Sequence, residues 1–153
     1  MEKIILAEPA VGIDIGSTTA KLVIIKNGDI VYRRYERHFS QVRQKTLELL
    51  RDAADFLKGE SFSAAISGSA GLGLARVADI PFVQEVFATS ETVKKLAPDT
   101  SSVIELGGED AKVIFFAGGT DERMNGTCAG GTGAFIDQMA TLLDVTVAEL
   151  DQL

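Results

Sequence analysis

One signature written twice constrains this chain more than any other feature. Asp14-Ile15-Gly16-Ser17-Thr18-Thr19-Ala20-Lys21-Leu22-Val23 is answered by Glu105-Leu106-Gly107-Gly108-Glu109-Asp110-Ala111-Lys112-Val113-Ile114, and from position 14 to position 105 the offset is 91 residues. The acid, the Gly, the Ala and the Lys recur at that offset without a gap. In each copy an apolar run ends in an acid, a Gly-containing tight turn follows, and a second apolar run returns. That is the sequence form of two antiparallel strands sharing a short turn. Two such turns facing each other form a phosphate clamp. Amides and hydroxyls of Gly16, Ser17, Thr18 and Thr19 are suitable donors to phosphate oxygens, and Asp14 with Glu105 can hold a hydrated Mg2+ ion between them.

Composition narrows the partners. The chain has 153 residues, 46% of them hydrophobic and 24% charged, which suits a soluble globular protein of one large or two small domains. A formal net charge of −7 argues against nucleic acid and anionic membrane surfaces, both of which reward clustered Lys and Arg. No apolar run approaches the ~20 residues of a bilayer span, and Met1-Glu2-Lys3 with a brief apolar stretch is not a signal peptide, so a cytoplasmic location is expected. The single cysteine, Cys128, has no internal disulfide partner; its role is reactive, metal-binding, intermolecular or a matter of packing.

Periodicity supplies a coarse map. Val11 to Ile15, Ala20 to Lys26 and Asp29 to Arg37 read as strands, the last two joined by a tight turn at Asn27-Gly28. Gln41 to Lys58 reads as a helix ended near Gly59, with Leu47, Leu50, Ala54 and Leu57 as its apolar stripe. Phe62 to Ser67 is a strand, Ser67 to Gly71 a turn, a short helix follows, and Glu85 to Leu96 is another helix, broken at Pro98-Asp99 before the second hairpin starts at Ser102. The expected fold class is α/β, a mixed sheet with helices packed on it. Shifting the first helix by the same 91 residues lands on Thr132 to Glu149, where Phe135, Met139, Leu142 and Leu143 form a stripe. The counterpart of the Phe62 to Ser67 strand falls just past Leu153. The expected domains are therefore residues 1–100 and an incomplete second unit, 101–153, from a longer protein or one completed by another chain.

Several residues admit two readings. Gly12, Gly16, Gly107 and Gly108 would serve hairpin turns in any protein, but the acid and Lys repeated beside them favour phosphate binding. Cys128, among Gly126, Gly130, Gly131 and Gly133 and just ahead of a helix, reads either as a small buried thiol or as an activated thiolate. Lys21 and Lys112 read as solvated edge residues, and Arg33, Arg34, Arg37 and His38 as a wet edge strand. Ser67-Gly68-Ser69-Ala70-Gly71-Leu72-Gly73 lacks the Lys-Ser/Thr ending of a phosphate loop and reads as a strand-to-helix turn.

Gly12-Ile13-Asp14-Ile15-Gly16-Ser17-Thr18 with Glu105-Leu106-Gly107-Gly108 resembles the two phosphate turns of the actin, sugar-kinase and heat-shock ATPase superfamily. The Glu105 to Lys112 segment, taken with Asn125-Gly126-Thr127-Cys128-Ala129-Gly130-Gly131-Thr132-Gly133-Ala134-Phe135, resembles the activator (activase) components of 2-hydroxyacyl-CoA dehydratases and benzoyl-CoA reductases. The resemblance implies a duplicated RNase-H-like fold that closes on ATP and Mg2+. It also implies a homodimer with one [4Fe-4S] cluster on its axis and a CoA-ester dehydratase or reductase as electron-accepting partner. Cys128 matches the first of two family cysteines. One thiolate per chain is half of what a symmetric pair needs for a [4Fe-4S] cluster, so the cluster is expected to be absent from this polypeptide alone. The resemblance assigns nucleotide contacts to Gly12, Asp14, Gly16, Ser17, Thr18, Thr19, Gly107, Gly108, Asp110 and Gly131, and Mg2+ to Asp14 and Glu105 through water. Orientation of the attacking water falls to Glu85 or Glu105, although Glu85 equally suits a helix start that favours carboxylates. Two alternatives keep the fold: a small-molecule kinase such as a sugar kinase, and a nucleotide-sensing module without turnover. The kinase alternative gives no reason for the thiol loop.

Overall fold

The computed structural model describes residues 8–126, 131–150 and 152. The chain divides into two compact units between Ala97 and Pro98. In the first, strands β1 (Ala10–Ile15), β2 (Thr19–Lys26) and β3 (Asp29–Arg37) lead into helix α1 (Val42–Ala53). Strand β4 (Ser63–Ser67) and helices α2 (Gly71–Ala78) and α3 (Glu85–Leu96) follow. The sheet order is β3-β2-β1-β4, antiparallel through β1 and then parallel between β1 and β4, so the sheet is mixed as expected. Asn27 and Gly28 both adopt left-handed φ, 52° and 81°, the conformation that a two-residue hairpin turn demands.

Strict alternation decides the two faces of this sheet. Val11, Ile13 and Ile15 of β1, Leu22 and Ile24 of β2 and Ile66 of β4 point to one side and form the core with Leu49, Ala53 and Ala75. Gly12 and Asp14 point to the other side, which keeps the acid out of the core.

Helix α1 meets that core on a different stripe from the one its hydropathy suggests. Leu47 and Leu50 are exposed, and the buried residues are Thr46, Leu49 and Ala53. Thr46 can turn inward because its hydroxyl donates to the Val42 carbonyl at 2.8 Å, so no polar group is left unsatisfied. The helix also ends at Ala53, passing into a 3-10 turn at Ala54–Phe56 before Gly59 reverses the chain with φ +78°. Lys45 clips α1 to β3 by pairing with Glu36 at 3.0 Å and Glu48 at 2.8 Å. Its ammonium, with help from Gln44, holds the Glu48 carboxyl below its ordinary value. Leu49→Ala is expected to cost about 3 kcal/mol through lost transfer energy and the cavity left behind. Leu50→Ala should cost under about 1 kcal/mol, since its side chain already meets water. Urea unfolding of the two variants checks the phase of the helix.

The second unit opens with β5 (Ser102–Leu106), β6 (Ala111–Phe115) and β7 (Asp121–Met124), an antiparallel sheet in that order, followed by α4 (Gly133–Leu142) and α5 (Val147–Leu150). The duplication runs further than the sequence signature. Gly118 and Gly119, at the positions of Asn27 and Gly28, again take positive φ, 78° and 130°, and turn the chain into a third strand. The expected single helix from Thr132 to Glu149 is instead two. Asp144 at φ +55° stops α4, and Thr146 with Glu149 forms a reciprocal capping box that starts α5. The Thr146 amide and hydroxyl hold the Glu149 carboxyl below its usual value. The apolar stripe expected on this helix is mostly exposed at Phe135, Leu142 and Leu143, while the buried position is Ala140.

Candidate phosphate-turn sites

In each unit the repeated signature is a hairpin with one register. Asp14 lies opposite Lys21 and Ile15 opposite Ala20; Glu105 lies opposite Lys112 and Leu106 opposite Ala111. Each turn is closed by the same bond, Gly16 N–H to the Thr19 carbonyl at 2.9 Å and Gly107 N–H to the Asp110 carbonyl at 2.8 Å. The amides of Gly16 and Gly107 are thus committed to the turns themselves. Ser17, at the tip, is exposed, Thr18 is half-buried, and Thr19 is 9% exposed at the start of β2.

The repeated lysines are not edge residues. Strands β2 and β6 are central, flanked on both sides, and each lysine crosses to the acid opposite: Lys21 Nζ to Asp14 Oδ2 at 2.6 Å, Lys112 Nζ to Glu105 Oε1 at 3.3 Å. Directly opposed cross-strand residues are close enough to pair, which is why acid and Lys recur together. The edge reading fails because strand order is a tertiary property that residue spacing does not carry.

Asp14 has a second partner. The parallel register of β1 and β4 sets Ser67 beside it, and the Ser67 hydroxyl donates to Asp14 Oδ1 at 3.2 Å. Asp14, Lys21 and Ser67 line one end of a cleft of ≈ 420 Å3 whose other walls include Gly12, Ala65, Val83 and, on α3, Ala88 and Thr92. The chain after Ser67 turns back over β1. Gly68 has φ +92°, and the Ala70 amide donates to the Ile15 carbonyl at 2.9 Å. This segment is a strand-to-helix turn, as its sequence suggests. Glu85 opens α3 just beyond Val83, whose amide donates to the Ile66 carbonyl at 2.8 Å and so brings the helix start alongside β4.

In the second unit Glu105 Oε2 is buried and has no hydrogen-bond partner among the described residues, while Oε1 takes Lys112. Gly108 is half-buried; Asp110 and Gly131 are exposed, the latter at φ +68°. The start of α4 is tied to the turn by three bonds. Gly133 N–H donates to the Gly107 carbonyl at 2.9 Å, Ala134 N–H to the Gly108 carbonyl at 2.9 Å, and the Thr132 hydroxyl to that same Gly108 oxygen at 3.1 Å. Thr132 is fully buried and spends its hydroxyl on the turn instead of capping its own helix. Cys128 lies outside the described residues.

Three residues of these sites escape sequence reasoning: Ser67, Thr132 and His38. His38 is no part of a wet strand. It is 3% exposed, its amide donates to the Thr18 carbonyl at 3.1 Å, and its Nε2 meets the Gly16 carbonyl at 3.0 Å. Parity along β3 does not reveal it, since Arg34 shares the phase of the buried Tyr32 and of His38 and is exposed.

A mixed sheet bearing an acid-tipped turn, with the turn and hairpin repeated in a second, three-stranded unit, is an α/β architecture of the RNase-H-like kind, the class of the actin and sugar-kinase ATPases. Within that class the family model described as the BadF/BadG/BcrA/BcrD ATPase family matches residues 11–153, and the chain belongs to that family. The (R)-2-hydroxyglutaryl-CoA dehydratase activating ATPase of Acidaminococcus fermentans is 32% identical over 148 residues, covering 93% of this chain and 56% of that protein. The activator of lactoyl-CoA dehydratase of Anaerotignum propionicum is 33% identical over 149 residues, with 93% and 56% covered. The solved structure of the activator of the 2-hydroxyisocaproyl-CoA dehydratase from Clostridium difficile, with bound ADPNP, matches at a TM-score of 0.75 and 33% identity, covering 93% of this chain and 55% of that one. The chain thus spans about half the length of the relatives it matches.

Proposed function

We propose that this chain carries the phosphate-gripping turns of an ATP-hydrolysing activator that delivers electrons to a CoA-ester dehydratase or reductase. The observation that carries the reading is the repeated turn: one register, one closing bond and one acid–lysine pair in each unit. Residues 1–100 are read as the first ATPase subdomain and 101–153 as the beginning of the second. Gly12, Asp14, Gly16, Ser17, Thr18 and Thr19 belong to the first phosphate site and Gly107, Gly108, Asp110 and Gly131 to the second.

The carboxylates fit a hydrated Mg2+. Among the described residues no donor meets one buried oxygen of Glu105, and a metal-bound water is the kind of partner such an atom lacks. Among the described residues no three His, Cys, Asp or Glu side chains gather into a direct ligand set. Asp14 and Glu105 would hold that ion, and when bound it supplies charge neutralisation at the phosphates. Catalysis by the chain's own groups then consists of positioning: turn donors fix the phosphates, and Glu85 or Glu105 orients the attacking water. No covalent intermediate is required.

The donor set of this chain does not fit a whole [4Fe-4S] cluster, because one cysteine per chain gives a symmetric pair only two of four thiolates. Cys128 is read as one ligand in the homodimer of a family-length protein working in the cytoplasm. Among the described residues no helix is long and apolar enough to cross a membrane.

The discriminating experiment is Cys128→Ala in the family-length protein, purified without oxygen. Visible iron–sulfur absorption and electron delivery to the partner should be lost, while ATP hydrolysis stays within about threefold of the parent, since the thiol is no part of the phosphate turns. Electron delivery that survives the substitution sinks the reading. ATP-dependent phosphorylation of a sugar by a colourless protein would replace it with a kinase.

A further inference from the structure

Gly16 and Gly107 hold equivalent places in the two turns, and each carbonyl is anchored from outside its hairpin. Gly107 O accepts a backbone amide, that of Gly133 at the start of α4. Gly16 O accepts a side chain, His38 Nε2 at 3.0 Å. The need for an anchor is therefore met twice, by different means.

The chemistry of the His38 bonds fixes its state. Ser40 N–H points at His38 Nδ1 at 3.1 Å, and a backbone amide only donates, so Nδ1 must offer a lone pair. The ring proton then sits on Nε2 and is donated to the Gly16 carbonyl. Bringing the Ser40 amide back to the ring puts Phe39 and Ser40 at φ +47° and +64°, a left-handed pair without glycine. The Gln41 amide closes the same bend on the His38 carbonyl at 2.7 Å. With its own amide on the Thr18 carbonyl, His38 grips both ends of the segment that presents Ser17.

We propose that His38 is a positioning residue for nucleotide phosphate: neutral, protonated on Nε2, it holds the Gly16–Thr18 turn in the one conformation that aims Ser17 and Thr18 at a phosphoryl group. The role rests on the nucleotide reading above, and it adds a residue outside the hairpin signature to the first phosphate site.

The test uses the family-length protein with Mg2+ and ADPNP. His38→Gln keeps an amide donor at the reach of Nε2 and should hold affinity within about threefold. His38→Phe keeps the ring without the donor and should weaken binding about tenfold or more, the size of one lost hydrogen bond, with KM for ATP raised more than kcat is lowered. His38→Asn still accepts from Ser40 but cannot reach Gly16, so it carries the same comparison should the Phe variant fail to fold. Independently, 15N NMR of the imidazole should report the Nε2–H tautomer. Wild-type affinity in the Asn or Phe variant, equal losses in Gln and Phe, or an Nδ1–H ring each overturns the role. Failure of the wild-type protein to bind ADPNP would overturn the nucleotide reading and this role with it, whereas normal wild-type binding that no variant disturbs overturns this role alone.

Discussion

Asp14→Ala should abolish Mg2+-dependent ATP hydrolysis in the family-length protein, lowering kcat by about 100-fold or more, the usual scale for removing one preorganised electrostatic contact from a reacting phosphate or oxyanion. The carboxylate is the sole charged group that β1 directs to its face of the sheet, and it is held by Ser67 Oγ and Lys21 Nζ in a fixed orientation. On the proposed reading, removing it would take away the acceptor for metal-bound water and leave the Lys21 ammonium beside the phosphates. The fold should survive, because Lys21 is 39% exposed and an unpaired ammonium there can be hydrated. Phosphate release measured across a Mg2+ titration, beside a thermal melt, separates the two effects. Hydrolysis within threefold of the parent, in a protein that melts normally, would remove Asp14 from the metal's surroundings.

Gly68→Ala is the substitution expected to damage the fold most. A Cβ there would sit 2.2 Å from the Ile15 carbonyl oxygen, 2.4 Å from its carbon and 2.6 Å from Asp14 Oδ1, at φ +92°. Two of those atoms are backbone and cannot yield. Left-handed strain of about 1–2 kcal/mol and overpacking of about 1–3 kcal/mol together approach the whole stability of a small unit. A fall in Tm of roughly 15 °C or more is expected, or no folded protein at all. Gly73→Ala is the control: nothing lies within 4 Å of its Cβ position inside α2, and helix propensity predicts a gain of up to about 1 kcal/mol. Equal melting of the two variants would mean that the turn after β4 does not press on β1 as the geometry requires.

Both effects concern residues whose importance the sequence reveals unevenly. Asp14 stands out because it ends an apolar strand and is matched by Glu105 one repeat later. Gly68 reads only as one glycine in a Ser-Gly turn, because the carbonyl it must avoid belongs to a strand 53 residues earlier, counted from Ile15 to Gly68. The phase of α1 escapes hydropathy for a related reason. Hydropathy scores Thr46 as polar and Leu50 as apolar, but the Thr46 hydroxyl is satisfied inside its own helix and the side chain buries at little cost. His38 is hidden in the sequence because three arginines nearby set the tone of the segment, and its burial comes from its bonds to the first turn.

From residue order alone the two signature hairpins, the Asn27-Gly28 turn and the 91-residue repeat follow, since each depends on neighbours a few residues apart: alternation sets the faces, and Asn-Gly sets the reversal. Tertiary structure alone decided which strand stands next to which. Placing β4 parallel to β1 brings Ser67 to Asp14, central positions for β2 and β6 turn two lysines into partners of the acids, and the bend after β3 brings His38 under the first turn. A period of two tells a side chain which face to take and is silent on what it will find there. The neighbours were chosen by burial of the shared apolar face, and the polar contacts of the site followed from that choice.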